Sequence, residues 1–301
     1  MDAPAGGGRF GRSGPALPAF GLGTAGRGGL HGPVPEAEAM ETLARALDRG
    51  VCYFDAAPLY GAGTGERRLG AALAGVPRDR VTVATKVGWR VDREGDRSAV
   101  VADYGREATE RSVEASLARL RLDRVDLALV HDIDPWNHGD AFGARLATVL
   151  DETLPVLARL REAGVVGAVG VAINGTRAAA EIAGRFPIDG VQIAGRLTLL
   201  DQAAIADLLP LAHRQGLGIV VAAPFNSGLL ADEAGDGPFF HAPPPAVVAE
   251  RHRRLADLAR RHGVPLAAAA LAFPLRFAGV AAVVAGARSP ARLDALLAAR
   301  D

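Results

Sequence analysis

Short apolar runs and longer amphipathic runs alternate along this chain from residue 20 to its end. The runs at 20–23, 51–54, 81–86, 125–130, 165–171, 190–194, 217–222 and 280–285 are apolar at nearly every position, the pattern of strands buried on both faces. Between them apolar residues recur every three or four positions. Met40, Leu43, Ala44 and Leu47 share one face of a helix over 35–49, and Val113, Leu117 and Leu120 one face of a helix over 107–120. The same spacing predicts helices over 66–74, 150–162, 176–184, 202–215, 246–262, 265–273 and 290–300.

Strands buried on both faces and separated by helices imply a parallel sheet covered by helices. A doubly wound sheet would carry a phosphate-binding glycine turn after its first strand. The segment from Gly21 to Gly26 has the letters of G-x-G-x-x-G, but Pro15 and Pro18 cut short the strand before it and the glycine-rich 27–33 cannot open a helix. The expected architecture is therefore α/β, a (β/α)8 or TIM barrel forming a single domain over 20–301. Residues 1–19, rich in Gly, Pro and Arg, are expected to be a loose, flexible tail; they lack the apolar core of a signal peptide or anchor. The apolar stretch 264–287 is interrupted by Pro274, Arg276 and Gly279 and reads as a buried helix followed by a strand, not a membrane span.

Composition narrows the function. Lys+Arg and Asp+Glu balance at 34 each in 301 residues, so there is no basic footprint for nucleic acid and the expected partner is a small molecule, with no membrane involved. The single cysteine, Cys52, lies in an apolar run and reads as a small buried hydrophobe; without a disulfide framework the default compartment is the cytoplasm. One lysine, Lys86, stands among the 34 cationic side chains, at the end of an apolar run. Arginine cannot readily give up its proton or replace a compact ammonium beside a phenol and a carboxylate.

In a barrel, functional groups gather just past strand C-termini. The polar residues there are Asp55 and Tyr60, Lys86, His131 and Asp132, Asn174, Gln192 and Arg196, and Asn226 and Ser227. A phenol exchanges protons poorly at neutral pH unless a cation such as Lys86 stabilises its phenolate, with Asp55 holding the lysine and a histidine fixing the substrate oxygen. Such a set suits proton transfer to oxygen coupled to hydride transfer at carbon. Three loops, 89–105, 132–142 and 226–245, are long and follow strands, which places specificity there; Trp89, Asp132 and Trp136 are candidate walls of a substrate pocket. His131-Asp132-Ile133-Asp134 has no accompanying His or Cys cluster, so no metal is expected. His213, His252 and His262 read as solvated helix positions.

These residues resemble the aldo-keto reductase family over nearly all of the chain after residue 19. The match consists of Phe-Asp-x-Ala-x-x-Tyr-Gly-x-Gly at 54–63, followed by Glu66 and Leu69-Gly70. Thr85-Lys86-Val87, Val130-His131-Asp132, the 170–174 segment and Gln192 then follow in family order. The segments 193–200 and 223–228 are similar to those of the sugar and pyridoxal dehydrogenase branch. The resemblance implies a (β/α)8 barrel, an extended NAD or NADP at its C-terminal face, and a catalytic tetrad of Asp55, Tyr60, Lys86 and His131. It further implies that Asn174 and Gln192 hold the nicotinamide carboxamide and that Phe225, Asn226, Ser227, Gly228 and Leu229 cradle the pyrophosphate with backbone amides. Gly23 and Thr24 would also line the cofactor site, and Gly286, Ala287, Arg288, Ser289 and Arg292 would meet the adenosine end, where Arg288 and Arg292 suit a 2′-phosphate. Three positions depart from the family: Leu197 stands where an aromatic residue usually stacks on the nicotinamide, and Arg292 and Leu296 stand where Gln and Asn are usual. The activity implied is oxidoreduction between a carbonyl and an alcohol or sugar hemiacetal; a regulatory cofactor-binding subunit and a non-redox barrel enzyme (elimination or epimerisation) are the alternatives.

Overall fold

The apolar runs become eight parallel strands closed into a barrel in the computed structural model of the chain, which describes residues 7–26, 34–231 and 233–300. In chain order the staves are β1 (Phe20–Gly23), β2 (Tyr53–Asp55), β3 (Thr82–Val87), β6 (Val125–His131), β7 (Val166–Ile173), β8 (Gly190–Ala194), β9 (Gly218–Ala222) and β10 (Val280–Gly286). Each pairs with its neighbour, and β10 returns to β1 to close the ring. A two-stranded antiparallel hairpin, β4 (Trp89–Val91) and β5 (Val100–Ala102), fills part of the loop expected after β3.

The helices lie outside the barrel because their apolar faces have only the strands to pack on. They are α1 (Glu36–Asp48), α2 (Thr64–Ala72), α3 (Arg106–Leu120), α4 (Pro135–His138), α5 (Phe142–Thr148), α6 (Leu154–Glu162), α7 (Thr176–Arg185), α8 (Ala203–Gln215), α9 (Ala246–Arg261), α10 (Leu266–Ala272) and α11 (Pro290–Arg300). Their buried faces, such as Leu43 on α1, Val113 and Leu120 on α3 and Ile182 on α7, join the outward-facing strand residues Phe54, Val83, Val130 and Val191 in one core. α5 runs into α6 through a π-helical turn, Val149–Thr153, so the helix expected to begin at 150 starts earlier. The 264–287 run resolves into α10, a 3-10 turn at Pro274–Arg276 and β10. Among the described residues no helix is long and apolar enough to cross a membrane.

The N-terminal end of the barrel is closed by a segment that the sequence reading left loose. Arg9 bridges Ala16 in a tight antiparallel turn, Gly8 donates its amide to Ala281 O at 2.9 Å, and Phe10 and Leu17 are 0% and 3% exposed. Phe10 packs with Tyr53, Leu127, Leu129 and Val220 in a cluster inside the barrel. Three glycines in register on adjacent strands, Gly170, Gly190 and Gly218, make room for it. A methyl at Gly190 would lie 2.8 Å from the Phe10 ring, and one at Gly218 2.5 Å from its Cα. Residues 7–19 are thus anchored to the barrel by Phe10 and Leu17, because one aromatic side chain fills a space that the strand glycines leave empty; residues 1–6 lie outside the described residues. Gly21 is explained in the same way. A methyl there would meet the Tyr53 ring at 2.4 Å, so this glycine of the false phosphate motif serves packing.

Candidate active site

Lys86 is the second-last residue of β3, and its side chain, 1% exposed, reaches inward at the C-terminal end of the barrel. Its Nζ donates to Asp55 Oδ1 at 2.8 Å, Asp55 Oδ2 at 2.9 Å and the Ala56 carbonyl at 2.8 Å. All three N–H bonds of the ammonium therefore have an acceptor. Asp55 is the last residue of β2, and its own carbonyl accepts from the Thr24 amide at 2.8 Å and the Thr24 hydroxyl at 3.1 Å. One residue before the lysine, Thr85 donates to the fully buried Glu66, which also accepts from Arg119 Nε at 2.7 Å and so ties β3 to α2 and α3.

The Tyr60 ring lies 4.7 Å from Lys86 Nζ and meets the His131 ring edge-on, with centroids 5.8 Å apart. The four residues expected as a tetrad are together. Burial, then the negative charges of Asp55 and Asp132, hold the Tyr60 phenol well above its ordinary range. Burial, then Lys86, hold the His131 imidazole well below its own, so at neutral pH it is uncharged and can donate one hydrogen bond. Its Nδ1 is buried without a partner among the described residues, and Nε2 is the edge that faces Asp132.

Beyond His131 the chain turns sharply. Asp132 adopts φ 54°, and Asp134 caps α4 by accepting from the Asn137 amide and from the Asn174 amide on the next loop, both at 3.1 Å. The Tyr104 hydroxyl donates to His131 O at 2.8 Å, so at the 2.9 Å contact with His138 it is the histidine Nε2 that donates. His138 stacks against Trp89, with ring centroids 5.9 Å apart. Trp89 and Asp132 thus belong to one rim cluster. Trp136 is 76% exposed on α4 and takes no part in that stacking.

The residues expected around the cofactor fall on one side of the same rim. Gln192 on β8 is 3% exposed and its Oε1 is buried with no partner among the described residues. Asn174 donates to Ala194 O at 3.2 Å, and Arg196, paired with Asp201 at 2.9 Å, donates to Asn174 O. Asn226, Ser227 and Gly228 have three successive positive φ angles, 46°, 65° and 119°, a backbone curl of the kind that turns amides toward an anion. The Asn226 side chain is spent within the protein, accepting from Thr198 at 2.6 Å and donating to Gly195 O at 3.1 Å. Thr24 is likewise spent on Asp55. Leu229 and Ala287 are buried, whereas Gly286 at the end of β10, Arg288 before α11 and Arg292 in its first turn are exposed; Arg288 crosses Gly26, where a methyl would meet its Cγ at 2.9 Å.

Leu197 is fully buried. Phe240, on the loop before α9, lies over Gly195, with the Arg196 guanidinium 4.3 Å from its ring centroid. Sequence reasoning missed Phe240 because it lies in a Gly- and Pro-rich stretch with no periodicity. His252, expected to be solvated, is 2% exposed, buried under Gly235 of the same loop. A separate cavity of about 620 Å³ opens near the N-terminal end, between β1, α10 and α11, with the half-buried Cys52 on its wall. Its lining is largely apolar, and the convergent acids, phenol and ammonium all lie at the other end.

Comparison with known proteins agrees with the chemistry. The Aldo/keto reductase family model matches residues 19–301. The chain belongs to the aldo/keto reductase family. It is 38% identical to D-threo-aldose 1-dehydrogenase of a Pseudomonas species, over 93% of this chain and 88% of that one. It is 36% identical to pyridoxal 4-dehydrogenase of Microbacterium luteolum, over 94% and 90%. The glycerol dehydrogenase of Gluconobacter oxydans superposes with a TM-score of 0.77 at 25% identity, covering 99% of this chain and 91% of that one. As a member of this family the protein is an NAD(P)-dependent oxidoreductase that interconverts a carbonyl and an alcohol, in preference to a regulatory or non-redox role.

Proposed function

We propose that the reaction is carried out by Tyr60 as general acid and base, with Lys86, Asp55 and His131 arranging it, on an uncharged aldehyde, sugar or related carbonyl. The observation that carries this reading is the buried triple hydrogen bond of the only lysine, with its charge 4.7 Å from the phenol ring. Bound beside Gln192, a nicotinamide would supply the hydride acceptor or donor. Gln192 Oε1 and Asn174 suit its carboxamide, the curl at 226–228 its pyrophosphate, and the start of α11 its adenosine end. Arg288 and Arg292 are the guanidiniums that a 2′-phosphate would meet, so NADP and NAD differ there.

In oxidation the substrate hydroxyl gives its proton to Tyr60 Oη; in reduction the phenol returns it to the carbonyl oxygen. The Lys86 charge lowers the cost of the phenolate, opposing the burial and acidic neighbours that favour the phenol. Neutral His131 donates through Nε2 to the same substrate oxygen, fixing it for transfer. The names of the relatives support an aldose or pyridoxal-like substrate. The test is absorbance of the reduced nicotinamide with NAD and NADP in turn, against aldoses, simple aldehydes and pyridoxal, for wild type and Tyr60→Phe. The expected result is turnover lost by at least about 100-fold in the variant, the scale of general acid–base catalysis, with cofactor binding by fluorescence retained. Equal turnover in both proteins would refute the role of Tyr60.

A further inference from the structure

Asp132 follows the catalytic histidine, and its carboxylate is not used by the fold. It is 21% exposed and accepts no hydrogen bond among the described residues; His131 Nε2, at 3.7 Å from Oδ2, is beyond hydrogen-bond reach. The groups that face it are Lys86, which favours its charge, Asp134, which opposes it, the neutral imidazoles of His131 and His138, and the phenols of Tyr60 and Tyr104. A largely buried carboxylate without a donor is costly, and the chain also takes φ 54° to place it there. An unmet acceptor 3.7 Å from the imidazole edge that receives the reacting oxygen describes the binding partner: a molecule with its own hydroxyl next to the reacting carbon.

We propose that Asp132 is a specificity-determining residue, whose carboxylate receives the hydroxyl on the carbon adjacent to the reacting one and so selects α-hydroxylated, uncharged substrates over plain aldehydes. Held gauche, oxygens on adjacent carbons lie about a hydrogen-bond length apart. A substrate bonded through its reacting oxygen to His131 Nε2 therefore carries its neighbouring hydroxyl to Oδ2. An ionised carboxylate only accepts, so it matches a hydroxyl and repels an anionic substituent at the same place. Burial, then the charge of Asp134, raise the Asp132 carboxyl to about 7, so its accepting strength changes across neutral pH. This inference rests on the placement of Tyr60 and His131 proposed above.

The experiment compares kcat/KM for an aldose and its 2-deoxy counterpart in wild type, Asp132→Ala and Asp132→Asn, at pH 6 and pH 8.5. In wild type at pH 8.5 the aldose is favoured by about 10- to 100-fold, the range for a hydrogen bond to a charged group. The preference narrows at pH 6, and in Asp132→Ala it collapses towards one at both pH values. Asp132→Asn, which keeps the shape of the side chain, loses the pH dependence of the ratio. A wild-type ratio near one, or a ratio unchanged in both variants while turnover continues, would overturn the assignment of Asp132 and leave the tetrad standing. Absence of nicotinamide-dependent turnover with either sugar in any of the proteins, wild type included, would overturn the reading of the site and this inference with it.

Discussion

Replacing Phe10 by Ala tests whether the N-terminal hairpin is part of the barrel's core. The side chain is fully buried, and the glycines at 170 and 190 pack directly against its ring. Phe→Ala substitutions in cores cost about 3–5 kcal/mol, with more lost where the surroundings cannot collapse. Collapse is difficult here, because Gly170, Gly190 and Gly218 are locked in register within three paired strands and offer no side chains to move inward. A cost of about 4 kcal/mol follows. For 301 residues the unfolding entropy near the midpoint is about 0.6 kcal/mol/K, which converts that cost to a fall in Tm of about 6 °C. Differential scanning fluorimetry of wild type, Phe10→Ala and Phe10→Leu measures it, and Leu should recover roughly half of the loss. Turnover at 25 °C should persist in Phe10→Ala, since the hairpin closes the end of the barrel opposite Tyr60 and Lys86. A fall below about 2 °C would mean that residues 7–19 contribute little and that the plug does not hold in solution.

Two further outcomes follow from the charges at the site. Asp132 has a carboxyl raised to about 7 in the folded protein, against about 3.9 unfolded. Between these values the unfolded chain has released the proton and the folded one has not, so the residue removes stability progressively as pH rises to about 7 and by a constant amount above it. Asp132→Asn should therefore stabilise the protein more at pH 8 than at pH 5, by about 2 kcal/mol in urea unfolding; an equal effect at both pH values would refute the raised value. Lys86→Met leaves the Asp55 carboxylate, with its side chain 4% exposed, without its cation, at a cost of about 3 kcal/mol or more. Adding Asp55→Asn should restore much of that stability and none of the turnover, and a double variant that turned over normally would show that the ammonium has no part in the chemistry.

The strand and helix order was readable because barrel staves buried on both faces leave unbroken apolar runs, while the helices between them keep a single apolar stripe. The tetrad was readable for a related reason: Asp55, Lys86 and His131 each end such a run, so a polar residue there stands out. Phe10 did not, since it is a lone aromatic among Gly, Pro and Arg, and its partner surface is made of glycines on strands 160 or more residues away. Three-residue strands with half-exposed sides, as in β4 and β5, carry too little alternation to be told from loop. His252 and Phe240 owe their environment to the loop before α9, whose path no local pattern encodes. Side chains committed elsewhere, as with Thr24 and Asn226, also escape a sequence reading, which sees a polar residue but not the acceptor that has already claimed it.

The solitary lysine has an experimental consequence of its own. With its amine 1% exposed and held by three acceptors, the folded chain offers an acylating or reductively methylating reagent no reachable side-chain amine. Each opening of the barrel mouth exposes one. The mass gained at Lys86 over time therefore counts openings of the catalytic end at one known residue, with no substitution introduced, and a ligand seated on the rim should slow that clock in proportion to its occupancy.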